Sequence, residues 1–113
     1  ECCVISQKKE KEFLKKVFNF KINKNLAYLK TFSKELSFKI KIKKADNNFN
    51  SYLDNLGFVG ICLISSNLEK IRNIAKKFCF IVSKKFQIKV NNKLIKICLI
   101  KSPNNLIYEI IEF

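Results

Sequence analysis

Few residues in this 113-residue chain could do chemistry. Histidine is absent, which removes the usual general base, the usual zinc nitrogen ligand and every Ser/His or Cys/His nucleophile. The nine acids, Glu1, Glu10, Glu12, Glu35, Asp46, Asp54, Glu69, Glu109 and Glu112, are scattered among lysines rather than gathered as an acid/base or metal-binding pair. Five cysteines stand at 2, 3, 62, 79 and 98, an odd number with no C-x-x-C pair, so neither a zinc site nor a disulfide framework is indicated and a reducing compartment fits. Cys62, Cys79 and Cys98 lie in or beside apolar runs and are expected to be small buried hydrophobes. Cys2-Cys3 fits a lipidation site, a reactive terminus or the first residues of a processed chain. Gly57 and Gly60 have G-x-x-G spacing, but inside an apolar run with no phosphate-cradle pattern after it. An enzyme is therefore not expected, and no catalytic residue, metal, cofactor or small-molecule substrate is implied.

The balance of charge points elsewhere. Lysine and arginine number 23 against the nine acids, a formal +14, while 48% of residues are apolar, enough for a folded core. Such a charge repels itself in a compact state, so the expected partner is a polyanion, nucleic acid ahead of an acidic membrane surface. No apolar run approaches the roughly 18 residues of a membrane helix. Arg72 is the single arginine, and the wealth of lysine, asparagine, isoleucine and phenylalanine marks an AT-rich coding bias, as in an organelle, a parasite or a reduced bacterium.

The elements that must position these residues follow from periodicity. Phe13, Leu14, Val17 and Phe18 give Lys8 to Phe20 one apolar stripe and predict an amphipathic helix. Leu26, Leu29, Phe32 and Leu36 allow a second short helix. Ser37 to Lys43 alternates as a half-buried strand with a lysine face. Phe49, Tyr52, Leu53 and Leu56 predict a helix ending at Gly57, and Phe58 to Ile64 a strand covered on both faces in mid-sheet. Ser66-Asn67-Leu68-Glu69 reads as a capping box, followed by a helix with Leu68, Ile71, Ile74, Ala75 and Phe78 on its buried face.

Cys79 to Val90, Asn91-Asn92 and Lys93 to Lys101 read as a long hairpin, since consecutive asparagines tolerate the positive φ angles of a two-residue turn. Its register opposes Val90 to Lys93, Ile88 to Ile95, Phe86 to Ile97 and Lys84 to Leu99. Apolar residues then share one side, while Lys85, Gln87, Lys89 and Lys96 share the other. Ser102-Pro103-Asn104-Asn105 ends the strand, and Leu106 to Phe113 adds a last one. No internal repeat or linker is visible. The expected class is α+β, a two-layer ferredoxin-like sandwich with a long β-hairpin, divided into a basic, partly helical N-terminal extension (1–36) and an α+β RNA-binding domain (37–113).

Leu68-Glu69 at the helix start, Ala75-Lys76-Lys77 at its end and Ile97-Cys98-Leu99-Ile100-Lys101-Ser102-Pro103 after the hairpin resemble the ribosomal protein ten family of the small subunit, in its bacterial and organellar form, over residues 57–108. The resemblance implies a structural constituent of the small-subunit head, with ribosomal RNA and neighbouring ribosomal proteins as partners. With the coding bias, it implies a mitochondrial location, or failing that another reducing compartment of an AT-rich organism. Expected RNA contacts are Lys84, Lys85, Lys89, Lys93, Lys96, Lys101 and Ser102 on the hairpin, with Lys70, Arg72, Lys76 and Lys77 as a second patch. The alternatives are a protein-interaction subunit of a large organellar assembly and a basic peripheral membrane protein using Cys2, Cys3 and the first helix.

Overall fold

In the computed structural model, which describes residues 2–4, 6–30, 37–44 and 60–113, the apolar stripe of Phe13, Leu14, Val17 and Phe18 is the buried side of a helix, α1 (Gln7–Phe18). Ser6 caps it by accepting from the Lys9 amide, and Asn19 ends it in the left-handed conformation, φ 57°, with its own amide returning to Lys15. The edge-to-face rings of Phe13, Phe18 and Phe20 continue the buried stripe beyond the helix.

The chain divides into two compact units, Glu1–Phe49 and Asn50–Phe113. In the first, α1 follows β1 (Cys2–Val4) and precedes β2 (Lys21–Asn23), β3 (Leu26–Lys30) and β4 (Ser37–Lys44). The sheet order is β1-β4-β3-β2, with β1 parallel to β4 and the other pairs antiparallel. Ala27, Ile40 and Ile42 are buried, and the Gln7 side-chain amide donates to the Ile42 carbonyl at 3.1 Å, tying α1 to β4. The short helix expected from Leu26 and Leu29 is instead β3, because β4 offers Leu26 to Lys30 a full ladder of partners and pairing overrides local leucine spacing. The expected boundary after residue 36 falls between paired strands of one sheet. The helix expected at Phe49 to Gly57, and Phe58 with Val59 before the next strand, lie outside the described residues.

The second unit contains β5 (Gly60–Ile64), α2 (Leu68–Lys77), β6 (Ile81–Val82), β7 (Phe86–Val90), β8 (Lys93–Lys101) and β9 (Ile107–Glu112). Its order is β5-β9-β8-β6, with β5 parallel to β9 and β7 also on β8. Each unit thus runs strand, helix, then antiparallel strands, the last pairing in parallel with the first. This repeat is invisible in the sequence. The class is α+β as expected, but neither unit has the split order of a ferredoxin-like sandwich. β5 ends its sheet's order rather than standing in its middle, and Ile64 is 73% exposed.

The hairpin has the expected register, Val90 to Lys93, Ile88 to Ile95 and Phe86 to Ile97, around Asn91 and Asn92 at φ 48° and 62°. It is interrupted where Lys84 was expected to face Leu99. Three residues, 83–85, stand opposite two, 98–99, so the strand bulges; the Ser83 amide donates to the Leu99 carbonyl, and the Ser83 hydroxyl accepts from the Leu99 amide.

The cap of α2 also differs from expectation. Asn67, not Ser66, is the N-cap, its side-chain oxygen accepting from the Lys70 amide at 2.9 Å. The amide of the cap residue donates to the Ser65 hydroxyl at 3.0 Å, the next amide, Leu68, donates to Glu112 of β9 at 2.7 Å, and Glu69 pairs with Arg72 instead of closing a capping box. Asn67→Ala is expected to cost about 1 kcal/mol, or roughly 4 °C in thermal melting, with Ser66→Ala near zero; equal losses for the two would restore the serine cap.

Candidate functional site

In the second unit α2 packs on β6, β8 and β9, where Cys98, Ile100, Tyr108 and Ile110 are buried. Strand alternation then fixes the opposite face. There the register sets Cys62 beside Glu109, Gly60 beside Ile107 and Ile64 beside Ile111, with Leu99 opposite Glu109 and Lys101 opposite Ile107. One carboxylate and one thiol therefore meet on an otherwise largely apolar wall. Gly60 permits this pairing: a Cβ there would lie 2.6 Å from the Ile107 carbonyl oxygen, so β5 approaches β9 too closely for any side chain. Gly60 is thus a strand residue, not part of a nucleic-acid loop.

Loss of hydration at the sheet surface, then the charge of Glu109 and a hydrogen bond to it, push the Cys62 thiol above its ordinary value. That shift favours the thiol over the nucleophilic thiolate. Cys98, buried under α2, is pushed up to about 11, first by burial. Of the cysteines expected to be buried, Cys98 is; Cys62 and Cys79 are exposed, Cys79 because it occupies the left-handed residue, φ 61°, that ends α2. Among the described residues no three His, Cys, Asp or Glu side chains come together. Cys62 and Glu109 are two donors, short of a metal centre, and the chain has no histidine to complete one.

The residues expected to contact RNA separate into two kinds. Lys70, Lys76 and Lys77 are exposed on α2, and Lys84, Lys89 and Lys93 on the hairpin. The others serve the fold. Arg72, with a side chain only 12% exposed, pairs with Glu69 at 3.0 Å and reaches the Ser83 carbonyl of the bulge; Lys85 lies 3.6 Å from Glu69. Lys96 pairs with Glu112 at 2.7 Å, which, with the Leu68 amide, holds that carboxyl below its usual value. Lys101 is half-buried on the Glu109 wall. Ser102 is buried, and its hydroxyl accepts from the Asn104 and Leu106 amides, closing the turn between β8 and β9. The sequence reading missed Cys62 and Glu109 as a pair, because 47 positions separate them and only the parallel β5–β9 register unites them.

No protein-family model matches the sequence, and no curated protein is similar to it. Solved structures do share the fold. An integron cassette protein of V. cholerae matches with TM-score 0.66 at 14% identity, covering 99% of this chain and 90% of that one. The fosfomycin resistance protein FosX of Listeria monocytogenes matches at 0.66 and 12%, covering 98% and 87%. A virulence protein of Salmonella typhimurium matches at 0.65 and 14%, covering 99% and 91%. At these identities the likeness is one of fold. These likenesses overturn the expected role in the ribosomal small subunit, since the neighbours are integron cassette and fosfomycin resistance proteins, and they lend no support to an RNA partner. Among the described residues no helix is long and apolar enough to cross a membrane.

The thiol–carboxylate contact has a direct chemical readout. At pH 8, Glu109→Gln is expected to speed iodoacetamide alkylation of Cys62 by roughly threefold or more, since removing the charge lowers the thiol's pKa. Cys98 should remain unmodified in the folded protein of both variants. Site-resolved mass spectrometry measures this, and an unchanged Cys62 rate would separate the two groups.

Proposed function

We propose that the chain is a small-molecule-binding protein of the glyoxalase-like kind, with the sheet face of Cys62 and Glu109 as its ligand wall. The observation that carries this is the register that sets one carboxylate beside a thiol, with Leu99, Ile107 and Ile111 around it, on the face that α2 leaves uncovered. Binding walls of this composition take an apolar body and orient it through a few polar groups. Glu109 accepts hydrogen bonds, so the ligand presents a hydroxyl or amine to it, and Leu99, Ile107 and Ile111 meet the apolar part. This departs from the absence of a small-molecule substrate expected from the sequence.

A second reading, chemical modification of that ligand, is favoured by the likeness to fosfomycin resistance proteins. In it Glu109 is the group that takes up a proton, because the neighbouring thiol favours its protonated form.

The test is thermal melting of the full chain against a panel of small hydroxylated, amino and phosphonate compounds. A ligand at a hundred times its dissociation constant contributes about 2.7 kcal/mol and should raise melting by several degrees. Glu109→Gln should abolish the gain while leaving the unliganded melting point unchanged. A panel that stabilises neither form, or a gain that survives Glu109→Gln, contradicts the assignment. Loss of the ligand's own NMR signals over time, in wild type only, would favour the second reading.

A further inference from the structure

The apolar row of the hairpin lies on the same sheet face as that wall, Phe86 facing Ile97 and Ile97 facing Ile111, but the outer strand has properties of its own. β7 pairs with β8 alone, and among the described residues nothing pairs with its other edge. In a two-residue hairpin the residues flanking the turn exchange both hydrogen bonds, and such pairs alternate along the ribbon. Val90, Ile88 and Phe86 therefore bond to β8, while the amides and carbonyls of Gln87 and Lys89 point away from it. Phe86, Ile88 and Val90 are each 43% exposed on one face of the strand, an apolar row on a projecting element.

The charge around this edge is mostly positive, with Glu69 beside Lys85 as the exception. Lys84, Lys85, Lys89 and Lys93 surround it, no acid occurs between residues 70 and 108, and Lys84, Lys89 and Lys93 form no ion pair with a described residue. Lysine on an open strand edge blocks pairing with ordinary strands and with a second copy, which would set lysine against lysine. The same lysines favour one kind of strand.

We propose that the outer edge of β7 is a docking strand for an extended acidic segment of a partner protein, in which acidic and apolar residues alternate. Such a segment would complete the ladder at Gln87 and Lys89, lay its apolar residues beside Phe86, Ile88 and Val90, and set its carboxylates near Lys85 and Lys89. Register and charge act together: backbone bonds hold the strand, and the lysines select its sequence.

A dye-labelled eight-residue peptide of alternating glutamate and valine tests this on the full chain, by fluorescence anisotropy and by amide hydrogen exchange. Binding should slow exchange at Gln87 and Lys89. It should weaken at least about tenfold in Gln87→Pro, which removes an outward amide and leaves the β8 ladder intact. Lys89→Glu, which keeps every backbone group, should weaken it similarly, so the result does not hang on how well the proline variant folds. No binding, equal binding by either variant, or equal binding of a lysine–valine peptide would overturn the proposal. So would binding of an oligonucleotide that protects the same amides, or their protection by raised protein concentration alone, which would give the edge to a second copy.

Discussion

Each unit is governed by a parallel bond between its first strand and its last. A parallel pair cannot be closed by a tight turn; the chain must leave the end of the first strand, cross a face of the sheet and return in the same direction. In the second unit α2 makes that crossing from β5, and β8 hands the chain to β9 through the Ser102 turn. The consequence is asymmetric. One face is covered by the helix and buries Cys98, Ile100, Tyr108 and Ile110; the other is left with Cys62 and Glu109 side by side. The pairing itself requires a strand start without a side chain, which Gly60 supplies.

Several other features hold this arrangement in register. Glu112, at the end of β9, joins three elements: it accepts from the first amide of α2 and pairs with Lys96 of β8. Its depressed pKa means that whatever stability it adds is present above the usual carboxylate range and is lost as pH falls through its folded value. Arg72 makes the corresponding link from the next turn of the helix, through Glu69 to the bulge at Ser83. Three of the basic residues expected to contact RNA, Arg72, Lys85 and Lys96, thus pair with acids of the same unit, although Lys85 and Lys96 stay partly open to solvent.

What the sequence made legible was local. The stripe of α1, the lysine-faced alternation of β4, the buried Leu68 and Ala75 of α2 and the Asn91-Asn92 register from Val90 to Phe86 rest on neighbours within a few residues and form as expected, whereas Phe78, expected on the buried face, is exposed at the end of α2. What it hid depends on distant partners. Leu26 and Leu29 are strand because β4 lies beside them; the Leu68 amide is met by Glu112, 44 positions beyond it; one extra residue at the bulge shifts Lys84 out of its expected place. The Cys62–Glu109 pair belongs to the second group, since nothing near either residue distinguishes it from other cysteines and glutamates.

The central claim is that the uncovered sheet face of the second unit receives a small molecule. It is tested most directly by amide chemical-shift mapping of the isotope-labelled chain against a mixture of low-molecular-weight fragments. Shifts centred on Cys62, Ile64, Leu99 and Glu109 are the predicted result. Shifts confined to the outer surface of α2 or to the hairpin tip, with the β5–β9 amides unmoved, would contradict it.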